Sequence, residues 1–175
     1  MATRNLSEPA ASEVPSGERM SIGIVVAEWN REITGAMAQG AHDTLLKHGV
    51  PKDKIEIETV PGSFELPLGG QFMAETGRFD AIILIGCVIQ GETRHFDFIC
   101  QGVTQGTVDL NLKYNIPFIY GVLTTNNLQQ ALDRAGGIHG NKGVEAAIAA
   151  IKMADLKGHI NQLNKNYGNI AGILR

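Results

Sequence analysis

The stretch from Ile82 to Cys100 constrains the fold more than any other. Ile82-Ile-Leu-Ile85 is an unbroken apolar run, short enough for a strand and apolar enough to be covered on both faces. Gly86 interrupts it, Cys87-Val-Ile89 completes it, and Gln90-Gly91-Glu92 make a turn. Thr93 is the candidate N-cap. After it, Phe96, Ile99, Cys100, Val103, Thr107 and Leu110 recur at helical spacing. The pattern predicts a buried strand running through a glycine turn into a helix. Amides around Gly91, Glu92, Thr93 and Arg94 would then face outward at the positive end of the helix, which favours a phosphate or carboxylate. His95 lies on the first turn, and an imidazole beside an anion cradle suits proton transfer on a phosphorylated substrate. The same junction also occurs in α/β domains that bind nothing there, and His95 could equally bond a carbonyl at the helix start. His95 and Asp97 are two apart and do not share a helix face, so they do not suggest a metal pair.

The chain of 175 residues fits one domain with a sizeable core. Lys and Arg number 15 against 18 Asp and Glu, a net charge of −3 with no basic block, so nothing points to nucleic acid. No apolar run is long enough to span a bilayer. Cys87 and Cys100 lie in apolar stretches without metal-ligand spacing and are expected as free thiols, with no metal site. The N-terminus lacks a signal-peptide pattern, and a cytoplasmic location is expected.

Residues 1–20, with Pro9 and Pro15, have little periodicity and are expected to form a flexible arm. Ser21 to Ala27 is the first strand, rich in β-branched residues. Trp29, the only tryptophan, follows at its C-terminal end, where open α/β sheets bind ligands. It either caps the core or stacks on a flat heterocycle. A helical stripe from Ile33 to Leu45 ends at Gly49-Val50-Pro51. Ile55 to Val60 alternates as a half-exposed strand, and Pro61-Gly62-Ser63 turns into a helix over 64–76. Ser63 and Glu65 are either helix-start capping groups or a hydroxyl and carboxylate suited to a polyol. The central strand starts at Asp80, and the helix after it runs to about Lys113. Pro117 to Leu123 is the last strand. Asn126 with Gln129 looks like a capping box for a short helix ending at Ala135. Arg134 there either complements the helix dipole or offers a forked phosphate donor. Gly136 to Gly140 is a break, and a last helix starts at Asn141-Lys142-Gly143. Residues 158–175 are expected as a tail outside the domain of residues 21–157. The order β-α-β-α-β-α-β-α-α predicts an α/β three-layer sandwich around a four-stranded parallel sheet in the flavodoxin-like order 2-1-3-4. All four strand ends then share one edge.

Six blocks, in order and together, resemble the lumazine synthase family. They are Trp29-Asn30, Pro61-Gly-Ser-Phe-Glu-Leu-Pro67, Gly86 through Asp97, Tyr120-Gly-Val-Leu-Thr-Thr125, Arg134-Ala-Gly136 and Gly140-Asn-Lys-Gly143. The resemblance covers about residues 21–157. It implies condensation of 5-amino-6-(D-ribitylamino)uracil with 3,4-dihydroxy-2-butanone 4-phosphate to 6,7-dimethyl-8-ribityllumazine, phosphate and water, without a metal or organic cofactor. It implies His95 as the proton donor and acceptor, Trp29 stacking on the pyrimidine, and Ser63, Phe64 and Glu65 holding the ribityl chain. Cys87, Val88 and Ile89 would read the pyrimidine edge. Gly91, Glu92 and Thr93 would form the phosphate loop, with Arg134 as its charged clamp. Tyr120 would reach into a neighbouring subunit's site, and Lys142 matches a family lysine near the site.

The resemblance further implies a homo-oligomer with interface active sites, a pentamer in the family and in many bacteria a shell of twelve pentamers, with riboflavin synthase as a further partner. The short connection from Gly136 to Gly143 resembles shell formers, while the longer leader departs from them. Gln90 stands where many relatives have Arg or Lys, Asn126 where Asp or Glu is common, and Trp29 where Phe is more frequent. Ile138-His139 replaces a turn that usually contains Lys. Two other classes of function compete: a scaffold that kept only the fold and its assembly, and a flavin- or nucleotide-binding module. Gln90 is the only feature that favours the scaffold, and a phosphate loop paired with His95 argues against the binding module, which needs no proton shuttle.

Overall fold

The computed structural model describes residues 14–173 along the backbone and their side chains through residue 165. Strand β1 (Ile22–Ala27) leads to α1 (Arg31–Lys47), β2 (Ile55–Val60) to α2 (Leu66–Glu75), β3 (Ala81–Ile89) to α3 (His95–Tyr114), and β4 (Phe118–Thr125) to α4 (Leu128–Arg134). A two-stranded ribbon, β5 (Ala135–Gly137) and β6 (Gly140–Asn141), then delivers the chain to α5 (Lys142–Ile173).

The main sheet is wholly parallel, in the order β2-β1-β3-β4, as the sequence predicts. β3 is its axis. Residues Ala81 to Cys87 are all buried, β1 pairs with it from Ile22↔Ala81 to Val26↔Ile85, and β4 pairs from Ile82↔Phe118 to Ile89↔Thr125. On one face Ile22, Ile24, Ile83 and Ile85 pack with Ile33, Met37 and Leu45 of α1 and Ala147, Ala150 and Ile151 of α5. On the other, Val25, Ile82, Leu84 and Phe118 pack with Leu66 and Met73 of α2 and Val103 and Leu110 of α3. Two cores on two sheet faces are the three-layer sandwich, and they explain why β1 and β3 are apolar without alternation. β2 bonds only to β1, and its Ile57 is exposed, because an edge strand with no helix over that position has nothing to bury it.

Local boundaries differ from the sequence expectations for physical reasons. Residues 63–65 form a 3-10 turn, and α2 proper starts at Leu66, with Pro67 in its first turn where no amide is needed. The N-cap of α3 is Arg94, not Thr93. The Thr93 hydroxyl accepts only a long 3.4 Å bond from the His95 amide. The cap of α4 is Asn127, one residue after the expected Asn126. Its Oδ1 accepts from the Gln130 amide at 2.9 Å, and Gln130 Oε1 accepts from the Asn126 amide at 2.9 Å, a reciprocal box shifted by one. The glycine-rich break closes into the β5–β6 ribbon, with Gly136 and Gly140 at positive φ. Helix α5 does not stop at Gly158 but runs on to Ile173. At the other end, Val14 is buried in the first core, and the Gly17 amide donates to the His48 carbonyl at 2.8 Å, so residues 14–20 lie against the domain. Residues 1–13 of the expected arm, Pro9 among them, are outside the described residues, as are 174–175 of the expected tail.

Asn141 joins α5, α1 and the ribbon. Its Nδ2 donates to the Ala36 carbonyl at 3.0 Å and to the Ala135 carbonyl at 3.3 Å, while its Oδ1 accepts from the Gly143 amide at 2.8 Å. Asn141→Ala removes a helix cap and leaves carbonyls unpaired, and is expected to destabilise the fold by about 2–4 kcal/mol. The check is a lower urea midpoint at unchanged m-value.

Candidate functional site

The C-terminal ends of β1, β2 and β3 open into a cavity of about 780 Å³. Of the residues singled out from the sequence, Trp29, Ser63, Phe64, Glu65, Cys87, Val88, Ile89 and His95 line it together. Each arrives through backbone geometry. β1 ends at Ala27, the Glu28 amide donates to the Val60 carbonyl at 2.9 Å, and the chain turns so that Trp29 stands at the rim, 73% exposed. Asn30 takes the left-handed conformation at φ 58°, which Asn tolerates better than most residues. Its Nδ2 donates to the Cys87 carbonyl at 2.9 Å, binding the end of β1 to the end of β3.

The 3-10 turn over Ser63–Glu65 sets Ser63 inward and Phe64 outward. Ser63 Oγ is buried and, among the described residues, has no hydrogen-bond partner. Gly86 makes this packing possible: a Cβ there would stand 2.6 Å from Ser63 Oγ and 2.8 Å from Leu66. Cys87, Val88 and Ile89 offer the outer edge of β3. Burial pushes the Cys87 thiol up to about 11, which suits a packed wall rather than a nucleophile. His95, exposed at the first residue of α3, closes the far side with Phe98 and Ile99.

Asn30, Phe98 and Ile99 are lining residues that the sequence reading did not select as site residues. Phe98 lies off the buried stripe of α3, and only the docking of that helix reveals which cavity its ring borders. The remaining candidates are not brought together with these. Gly91, Glu92 and Thr93 form an exposed turn leading into His95, and Arg94 beside them is tied loosely to Asp97 at 3.9 Å. Tyr120 lies on the other side of α3, in a second hollow with Phe98, Thr104 and Thr124, and its hydroxyl accepts from Thr104 Oγ1 at 3.4 Å. Burial raises its phenol above the ordinary range. Arg134 is exposed at the end of α4, beyond β4. Lys142, half-buried, pairs with Glu145 at 3.0 Å. Among the described residues, no group of three His, Cys, Asp or Glu side chains could hold a metal ion, and no helix is long and apolar enough to cross a membrane.

The arrangement can do three things at once. An exposed indole offers a stacking surface, Ser63 and Glu65 offer a hydroxyl and a carboxylate to a polyol, and His95 sits where it can exchange protons with whatever lies between them.

Comparison with known proteins adds to this geometry. The family model for 6,7-dimethyl-8-ribityllumazine synthase matches residues 19–158. The chain is similar to the 6,7-dimethyl-8-ribityllumazine synthase of Parabacteroides distasonis, 56% identical over 154 residues that cover 88% of this chain and 96% of that protein. It is 58% identical to the protein of the same name from Cytophaga hutchinsonii over 152 residues, covering 87% and 95%. It is 57% identical to that from Bacteroides fragilis over 143 residues, covering 82% and 100%.

The wall position of Cys87 has a chemical consequence. At pH 8 its thiol is expected to resist iodoacetamide in the native protein while the urea-unfolded chain is alkylated fully. Peptide mass spectrometry of the two samples checks this, and rapid native labelling of Cys87 would contradict its burial.

Proposed function

The chain belongs to the 6,7-dimethyl-8-ribityllumazine synthase family, and we propose that the cavity at its sheet edge is where it condenses 5-amino-6-(D-ribitylamino)uracil with 3,4-dihydroxy-2-butanone 4-phosphate. The observation that carries this assignment is the convergence of Trp29, Ser63, Glu65 and His95 on one cavity. The pyrimidine lies against Trp29, the edge of β3 from Cys87 to Ile89 reads its polar atoms, and the ribityl chain runs past Phe64 toward Ser63 and Glu65. The buried Ser63 hydroxyl, without a partner among the described residues, supports that last placement, since a polyol that displaced its cover would supply one.

The amine of the uracil attacks the ketone and water leaves, giving an imine. Phosphate is then eliminated, and the second amine closes the ring with loss of a further water. Every step moves a proton, and His95 is the group within the cavity that takes and returns it. The turn of Gly91, Glu92 and Thr93 holds the phosphate at the start of α3, with Arg134 as its clamp. No cofactor enters.

Arg134 and Tyr120 stand away from the cavity within one chain, which supports a site completed between copies. Leu68 and Phe72 on α2 and Val108 and Leu112 on α3 are all exposed apolar residues, as expected of surfaces that an assembly covers. The assembly is a pentamer, and the short ribbon between Gly136 and Gly143 favours closure of twelve pentamers into a shell. Riboflavin synthase, which consumes the product, is the partner, and the cytoplasm is the location.

Mixing the purified protein with both substrates is expected to produce lumazine fluorescence and phosphate in equal amounts, and phosphate without product would refute the pyrimidine assignment. His95→Ala is expected to lower kcat by ~10²–10⁴-fold, the usual worth of positioned acid–base assistance. A variant as fast as the parent removes His95 from the mechanism. Because Trp29 is the only tryptophan, the uracil substrate alone is expected to quench the intrinsic fluorescence on saturable binding. Base–aromatic stacking is worth ~1–3 kcal/mol, so Trp29→Ala is expected to weaken that binding roughly 5- to 150-fold in a calorimetric titration.

A further inference from the structure

The turn between β3 and α3 is poor in positive charge for a phosphate site. Gly91, Glu92 and Thr93 are all exposed, and a Cβ added at Gly91 would meet nothing within 4 Å, so the space over the turn is open. A phosphate ester brings roughly 1.5 to 2 negative charges to it near pH 7. Amides at the start of α3 offset only part of that charge. Glu92 stands in the turn and Asp97 in the first turn of the helix, so two carboxylates oppose an incoming anion. Among the described residues Glu92 has no ion-pair partner.

The polar side chains near the turn differ in what they can offer. Gln90 is uncharged and folded back, its Nε2 donating to the Gly91 carbonyl at 2.9 Å. The Thr93 hydroxyl accepts from the His95 amide at 3.4 Å. Further off, Lys142 is paired with Glu145 at 3.0 Å, and Arg134 lies at the end of α4, beyond β4. From Cys87 to Ile99 the only lysine or arginine is Arg94. It is the N-cap of α3, directly after the turn, and its side chain is 88% exposed. Its Nε lies 3.9 Å from Asp97 Oδ2, beyond hydrogen-bond distance. Asp97 is itself 51% exposed, and so open an ion pair contributes little. Among the described residues the Arg94 side chain has no other partner, so both terminal guanidinium nitrogens can turn to an anion.

Taking that turn as the phosphate site of the proposed reaction, we infer that Arg94 is a further substrate-binding residue, whose guanidinium closes on the phosphate of the four-carbon ketone from the helix side of the turn. A guanidinium presents a planar fork that matches two phosphate oxygens, and it keeps its charge at any working pH. It offsets Glu92, which the amides alone do not. Giving up Asp97 for phosphate costs little, because that pair is long and solvated. Arg94 also belongs to the chain that supplies His95, its immediate neighbour, whereas Arg134 stands away from the cavity of its own chain. The phosphate is then held beside the group that moves protons before any second copy contributes.

The test is steady-state kinetics of the full-length protein with both substrates, together with competition by inorganic phosphate. Arg94→Gln is expected to raise KM for the phosphorylated ketone and the inhibition constant of phosphate in parallel, by about 5- to 50-fold, as for a charge-assisted contact open to water. The KM for the uracil substrate and kcat are expected to hold, because the contact is made equally before and during the reaction. Arg94→Lys keeps the charge and is expected to recover part of the lost affinity. Asp97→Asn removes the competing carboxylate and is expected to bind phosphate at least as tightly as the parent. Unchanged constants in Arg94→Gln overturn the role of Arg94, and so does a Lys variant no better than the Gln variant. Loss of phosphate affinity in Asp97→Asn equal to that in Arg94→Gln also overturns it, since the pair would then serve only the start of α3. A parent protein without turnover refutes the phosphate reading of the turn itself, whereas normal turnover in the parent beside an unaffected Arg94→Gln refutes the role of Arg94 alone.

Discussion

The structure depends on β3 being hydrogen-bonded along both edges and covered on both faces. Because β1 and β4 both register against it, their C-terminal ends are brought to one level of the sheet, and β2 follows through β1. Everything at the functional edge inherits its position from that register. A slip of one residue in β3 would turn Ile83 and Ile85 from the α1–α5 core to the α2–α3 core and carry Cys87 away from the Asn30 side chain that bonds its carbonyl.

The edge itself is built differently from the layers beneath it. Below, large aliphatic residues exclude water from both faces of the sheet. Above, the backbone leaves the ladder, and the side chains placed there are an exposed indole, an exposed Phe64 ring, an unpartnered hydroxyl and an imidazole. A folded monomer gains little from exposing the indole and the Phe64 ring. Under the proposed function they meet substrate in the cavity and other copies around it. Tyr120 and Arg134 fit the same view, since β4 and α4 carry them away from the cavity of their own chain.

Gly86 and Asn30 show how tightly the edge is specified. One gives room for the Ser63 side chain where any Cβ would collide with it, and the other takes a left-handed backbone so that its amide can cross from β1 to β3. Asn30 itself lines the cavity and Gly86 stands behind Ser63, and the wall has its shape because of both.

The four parallel strands, their order and the strand–glycine–helix junction at β3 were legible in the sequence, because a run buried on both faces leaves an unambiguous apolar signature and a helix leaves a 3.6-residue stripe. That Trp29, Ser63, Glu65, Cys87 and His95 gather at one cavity was legible because a parallel sheet must bring its strand ends to a common edge. Local capping was legible only to within a residue: Asn126 and Asn127 are chemically equal candidates, and the choice falls to which of them faces the Gln130 amide once α4 has docked on β4. The continuation of α5 past Gly158 was not legible either, since a glycine stops a helix only when the backbone turns there. What the sequence by itself determined was which residues had to leave water and at what period. What only the tertiary structure decided was which exposed side chains share a cavity, as Phe98 does with Trp29 and Tyr120 does not, because that depends on how α3 lies across the sheet, and helix docking is set by long-range packing that no local pattern records.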